Sequence, residues 1–215
     1  MTSTRGTPFT CSHSHPVVAT WADELNAALA TTLADANPAW LTHRVSEATG
    51  TGRGTYVADG FTVAHGTRLV AYWGHLTLLP SALSTYVFQL PDITHPGSTF
   101  HPSVDAGHAC SRGNPPTGQA ALLNHKCEDP TCSPSWAWQP TCTLPIMICT
   151  SRRPLRGGTE LTYNYDAHQL HGTFTVHADD VATLPAGKLR YAPCCCASPA
   201  PCPKRRFIPY LPPAF

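Results

Sequence analysis

Gly157-Gly158-Thr159-Glu160-Leu161-Thr162-Tyr163-Asn164-Tyr165-Asp166 is the stretch from which the fold is read. A glycine turn leads into Glu-Leu-Thr and then into two tyrosines spaced two apart. In an extended chain such residues share a face, so both phenols can line one cavity. Taken alone, the segment reads first as a strand that carries two aromatic core residues.

Upstream lies Leu122-Leu123-Asn124-His125-Lys126-Cys127-Glu128-Asp129-Pro130-Thr131-Cys132, where an amide–imidazole pair follows an apolar run and precedes a Pro/Cys loop. Further upstream, Gly52-Arg53-Gly54-Thr55-Tyr56-Val57 places a Gly-x-Gly before a β-prone run, which allows a ligand to approach the backbone closely. It lacks the third glycine and the helix of a dinucleotide fingerprint. Gly66 and Tyr72-Trp73-Gly74 follow. Downstream, Cys194-Cys195-Cys196-Ala-Ser-Pro-Ala-Pro-Cys202 sets several thiols on a proline-stiffened turn. Cys194, Cys196 and Cys202 can converge on one zinc ion, which prefers four tetrahedral ligands, so a fourth must come from elsewhere. A buried thiol cluster or a disulfide is the competing reading.

The remaining chain supports a small β-rich architecture. Charged residues are only 13% of the 215, about half the usual share, and prolines number 22; this composition favours turns and short strands over long solvated helices. Val18, Trp21, Leu25, Ala28, Leu29 and Leu33 recur at spacings of three and four, which predicts one helix, begun near Pro16 and stopped by Asn37-Pro38. Strands are expected at Gly54 to Val57, Phe61 to Val63, Leu69 to Trp73, Tyr86 to Leu90 and Ile146 to Thr150. No strand–helix alternation appears, so a doubly wound parallel sheet is not expected. Residues 91–119 read as a long irregular connection. Cys11, His13 and His15 lie in a polar arm and lack a matching second pair for a metal. Cys110, Cys142, Cys149, His168 and His171 read as core or loop residues.

The formal net charge is +1, which gives no global field toward DNA or an anionic membrane. No apolar run approaches the ~20 residues a spanning helix needs, and the N-terminus lacks a signal-peptide pattern. Ten cysteines in a reducing compartment read as ligands, core residues or reactive thiols. Lys204-Arg205-Arg206 is the one basic run. The expected location is intracellular, nucleus before cytoplasm.

In order and spacing, Gly52/Gly54, Tyr72/Gly74, Asn124-His125-Lys126-Cys127, Glu160 to Tyr165 and Cys194/Cys196/Cys202 together resemble the SET-domain protein lysine methyltransferases. That family runs Gly-x-Gly, Tyr-x-Gly, Arg-Phe-x-Asn-His-Ser-Cys, Glu-Leu-Thr-x-Asp-Tyr and a post-SET Cys-x-Cys-x4-Cys. The likeness spans about Leu41 to Arg206. The resemblance implies a mainly β fold with a few helices: several small sheets with a knot-like crossing, an N-terminal helix and a C-terminal post-SET zinc loop. The segments expected are a flexible arm at 1–16, a helical segment at 17–40, the SET domain at 41–168, a connector at 169–191 and the zinc segment with its tail at 192–215.

It also implies S-adenosylmethionine as cofactor, bordered by Gly52, Arg53, Gly54 and Tyr72 and contacted by Asn124 and His125. Tyr165 takes the catalytic position, with Tyr72 and Tyr163 beside it. Cys127 joins Cys194, Cys196 and Cys202 on zinc. The implied substrate is a protein or peptide lysine, a histone tail among the candidates, and the enzyme is expected to act as a monomer. A tyrosine at 163, where the family has Phe or Tyr, leans toward mono- or dimethylation. The chain departs from the pattern at Ala121 and Leu122, which replace Arg and Phe, and at Lys126, which replaces Ser. Five residues rather than four separate Cys196 from Cys202. These departures mark a divergent member and keep an inactive SET-like zinc-binding interaction module as the alternative. An unrelated small zinc module is a third reading.

Overall fold

The structure is a computed structural model that describes residues 9–11, 16–33, 38–47, 53–78, 87–91, 93–95, 98–100, 102–106, 120–165, 189–191 and 207–209. In chain order it begins with β1 (Thr10–Cys11), α1 (Pro16–Thr32), β2 (Leu41–Val45), β3 (Arg53–Val57), β4 (Thr62–Val63), β5 (Arg68–Ala71) and β6 (His75–Thr77). Then follow β7 (Val87–Gln89), β8 (Ile93–His95), β9 (Ser98–Phe100) and β10 (Ser103–Asp105). A 3-10 turn, Ala120–Leu122, leads into β11 (Asn124–His125), β12 (Cys132–Ala137), β13 (Ile146–Ser151), β14 (Leu155–Arg156) and β15 (Glu160–Tyr163). β16 (Leu189–Tyr191) and β17 (Phe207–Pro209) close the series.

These strands form several small sheets, in the orders β1-β6-β10-β7, β11-β15-β3-β2 and β12-β13-β5, with the pairs β14-β4, β16-β17 and β8-β9. The mainly β class with several small sheets is therefore as the sequence indicated; among the described residues there is one α-helix. Helix α1 buries Val18, Trp21, Ala22, Leu25, Ala28, Leu29 and Thr32, the face its periodicity predicted. Pro16 occupies the first helical position, where its missing N–H costs nothing. The helix ends earlier than Asn37-Pro38 requires. Thr31 and Thr32 both donate their hydroxyls to the Ala28 carbonyl, at 2.9 and 2.6 Å, side-chain bonds that compete with continued helix.

Three expectations are corrected. Within the segment read as a flexible arm, Thr10–Cys11 pair in parallel with β6, and Phe9 is buried in the core. The Asn26 side chain secures this strand: it accepts from the Phe9 N–H at 2.8 Å and donates to the Phe9 carbonyl at 2.9 Å. Residues 91–119, read as irregular, contain β8, β9 and β10, each three residues long and too short to display alternation. The strand at Cys132–Ala137 was not anticipated because Pro134 interrupts it. Pro134 is accommodated since β12 is an edge strand, paired to β13 on one side only, where a missing N–H breaks no ladder.

Candidate functional site

The site is organised by the sheet β11-β15-β3-β2. β11 pairs in parallel with β15, Asn124 opposite Thr162 and His125 opposite Tyr163, and the Lys126 N–H extends the contact to the Tyr163 carbonyl at 3.1 Å. On its other side β15 is antiparallel to β3, Glu160 opposite Tyr56 and Leu161 opposite Thr55. The Asn-His, Glu-Leu-Thr-Tyr and Arg-Gly-Thr-Tyr segments thus become neighbouring strands, although they are far apart along the chain. Thr131 ties the following loop to the same strand. Its hydroxyl accepts from the Thr162 N–H at 2.8 Å and lies 3.1 Å from the Glu160 carbonyl.

The tyrosines gather as the sequence suggested. Tyr163 and Tyr165 have ring centroids 4.6 Å apart, and His125 lies 5.0 Å from Tyr165. Tyr163 is fully buried. Burial, and then the nearby phenols of Tyr165 and Tyr72, push its pKa well above the ordinary 10.0. Tyr72 is buried and stacks on Phe88 at 4.9 Å. The Tyr165 hydroxyl donates to the Leu123 carbonyl at 2.6 Å. The Tyr165 N–H donates to His125 Nδ1 at 3.1 Å, so Nδ1 is an acceptor and the neutral imidazole carries its proton on Nε2. His125 is thereby a fixed strut that orients Tyr165.

Glu160 is a residue whose individual role the sequence did not reveal. Its Oε2 accepts from the Ser46 hydroxyl and the Tyr56 hydroxyl, both at 3.0 Å. Its Oε1 accepts from Asn124 Nδ2 at 2.7 Å, and the same Nδ2 reaches the Arg53 carbonyl at 3.3 Å. Gly54 fits beneath this group. A Cβ there would overlap Glu160 Oε1 and lie 3.1 Å from Asn124 Nδ2, so the group that approaches Gly54 closely is a carboxylate of the chain itself. Tyr56 is held at its hydroxyl, and burial is the main cause of its raised pKa, offset in part by Ser46. The Arg44 guanidinium sits 4.0 Å over the Tyr56 ring. The one signal available in the sequence was an acidic side chain at the start of a strand, two residues after Gly158 of the Gly-Gly turn.

Of the residues singled out from the sequence, Arg53, Gly54, Asn124, His125, Tyr163 and Tyr165 are brought together by strand pairing, hydrogen bonds and ring contacts. Tyr72 joins them through Tyr163. Gly52, Cys194, Cys196 and Cys202 lie outside the described residues. Cys127 is a buried side chain two residues after His125. The described residues thus supply one of the four thiols a zinc site would need, and they contain no group of three or more His, Cys, Asp or Glu poised around one ion. For S-adenosylmethionine the donor set fits in kind: an anchored carboxamide, main-chain groups of Arg53, and buried phenols.

The family model described as SET domain matches residues 11–166. No curated protein matches the chain. Among solved structures, the chain is similar to one described as ctPRC2 in an autoinhibited conformation bound to S-adenosylmethionine. The identity is 19% and the TM-score 0.41, over 59% of this chain and 15% of that one. It is also similar to KRYPTONITE in complex with mCHH DNA, an H3(1-15) peptide and SAH, at 20% identity and a TM-score of 0.46, over 77% of this chain and 29% of that one.

Proposed function

The chain belongs to the SET-domain family, and from that premise we propose that it is an S-adenosylmethionine-dependent protein-lysine methyltransferase. The observation that carries the reading is the β11–β15 pairing, which puts Asn124 and His125 beside Tyr163 and Tyr165. When bound, the cofactor supplies a methyl group on a sulfonium, open to in-line attack by an amine.

The residues of the chain account for the rest. Free lysine has a pKa of about 10.4, so the attacking amine is scarce at neutral pH. A channel walled by Tyr72, Tyr163 and Tyr165 disfavours the ammonium by desolvation. The Tyr165 phenol, anchored by its hydroxyl to Leu123 and by its N–H to His125, holds the amine on line and lowers the entropic part of the barrier. Tyr163, with its phenol held neutral, can keep a polar contact in the channel that restrains the amine's rotation after one or two methyl transfers. Asn124 and the Arg53–Gly54 main chain hold the cofactor's amino-acid part, and Cys127 with Cys194, Cys196 and Cys202 takes zinc as a latch on the C-terminal loop. The substrate is a lysine in a protein, with a histone tail first among the candidates and the nucleus as the place of action.

Titration calorimetry with S-adenosylmethionine tests the reading. Saturable binding to a single site is the expected result. Its absence in folded protein would replace the enzyme with an inactive SET-like interaction module, a reading that Lys126 in place of the family's serine keeps in view.

A further inference from the structure

Glu160 has no part in the methyl-transfer reading so far. All its hydrogen bonds face inward: the Ser46 and Tyr56 hydroxyls hold Oε2 and the Asn124 amide holds Oε1. The carboxylate therefore acts on the site through Asn124. Both groups that meet Asn124 Nδ2, the Glu160 carboxylate and the Arg53 carbonyl, accept and cannot donate. A reversed carboxamide would set oxygen against two oxygens, so the amide has one allowed orientation. Neither contact uses Asn124 Oδ1. That oxygen, an acceptor only, is the end of the carboxamide left for a ligand, and the negative charge behind it favours a cationic donor. Ser46 and Tyr56 keep the carboxylate from rotating away, and the missing side chain at Gly54 leaves it room.

We propose that Glu160 is a positioning residue: it locks the Asn124 carboxamide with its oxygen outward, as the acceptor for the ammonium of the cofactor's amino-acid part. The assignment rests on the cofactor reading given above.

The test uses the full 15N-labelled chain as wild type, Glu160→Gln and Glu160→Leu. Two ligands are titrated: S-adenosylhomocysteine, and 5′-deoxy-5′-methylthioadenosine, which lacks the amino-acid part. The side-chain NH2 signals of Asn124, assigned by their loss in Asn124→Asp, should be shifted downfield and slow to exchange in wild type. Glu160→Gln keeps an acceptor toward Asn124, and its amide can donate to the two hydroxyls, so these signals should persist there; in Glu160→Leu they should be lost. S-adenosylhomocysteine affinity should fall at least about tenfold in Glu160→Leu, the scale of one charge-assisted hydrogen bond, and be retained in Glu160→Gln. Affinity for the methylthio ligand should be equal in all three proteins. If Glu160→Leu does not fold, the smaller Glu160→Ala takes its place with the same expectations. Unchanged Asn124 signals in the variant overturn the lock, and equal weakening of both ligands overturns the ammonium assignment. A wild-type protein with the Asn124 signature but no affinity for either ligand contradicts the cofactor reading while upholding the amide lock.

Discussion

The Tyr165 hydroxyl donates a 2.6 Å hydrogen bond to the main-chain carbonyl of Leu123, so the phenol proposed to face the reacting amine is anchored by the residue just before the Asn-His pair. Tyr165→Phe removes that anchor and the only polar atom of the ring. Turnover should fall on the order of a hundredfold, the scale for deleting one preorganised polar group at a reacting centre. Unfolding free energy should drop by about 1 kcal/mol, for the carbonyl left without its donor. Cofactor affinity should be nearly unchanged; steady-state kinetics, urea melts and calorimetry read the three quantities separately.

Tyr163 lies beside Tyr165 and is fully buried. Tyr163→Phe keeps the ring and removes the hydroxyl that the proposed function places in the lysine channel. Product analysis by mass spectrometry should show a shift toward more highly methylated lysine, with total methyl transfer maintained.

Gly54 and Gly74 look alike by crowding but differ in what crowds them. A Cβ at Gly54 overlaps the tip of the Glu160 side chain, which can move only by giving up its hydrogen bonds to Ser46, Tyr56 and Asn124, whereas a Cβ at Gly74 overlaps the Asp105 main-chain carbonyl, which cannot move without the strand. Gly74→Ala should therefore cost about 1–3 kcal/mol of stability, the usual scale of overpacking. Gly54→Ala should cost less stability, because a side chain can yield where main chain cannot, and should lose cofactor affinity as well. Parallel thermal melts and ligand titrations distinguish the two.

Thr131 bridges the loop after Cys127 to β15 through the Thr162 N–H and the Glu160 carbonyl. Thr131→Val keeps the shape and leaves a buried N–H unsatisfied, for a loss of about 1–3 kcal/mol, measurable as a lower urea midpoint.

Burial pushes the Cys132 thiol up to about 11 and the Cys149 thiol well above the ordinary 9.0. Between pH 9 and 11 the unfolded chain ionises Cys132 and the folded one does not. The unfolded state then binds fewer protons, and stability declines as pH rises through that window, by about 3 kcal/mol for a two-unit shift. Cys132→Ala should flatten the decline in urea melts taken at pH 8 and 10.5. Below pH 8 both thiols should resist iodoacetamide until the protein is unfolded, as peptide mapping will show.

The order of motifs and the helix were legible because each rests on local chemistry: the apolar spacing from Val18 to Leu33, and the turn residues around Gly157-Gly158. Tyr163 and Tyr165 were legible as a pair for the same reason. β1 and β12 were not, since a two-residue strand carries no alternation and Pro134 masks an edge strand that only its single-sided pairing permits. Glu160 was hidden for a different reason. Its partners Ser46, Tyr56 and Asn124 come from three other places in the chain, and only the register Glu160–Tyr56 and Asn124–Thr162 brings them to one carboxylate. The residues around it could be named from the motif, but the hydrogen bonds that give the motif its meaning are long-range.

The enzyme reading as a whole is met most directly by transfer of radiolabelled methyl groups from S-adenosylmethionine to histones and to cell lysate, with wild type and Tyr165→Phe side by side. Label on protein lysine with wild type and little with the variant is the result predicted. Equal labelling by both proteins, or none by a folded wild type that binds the cofactor, would contradict it.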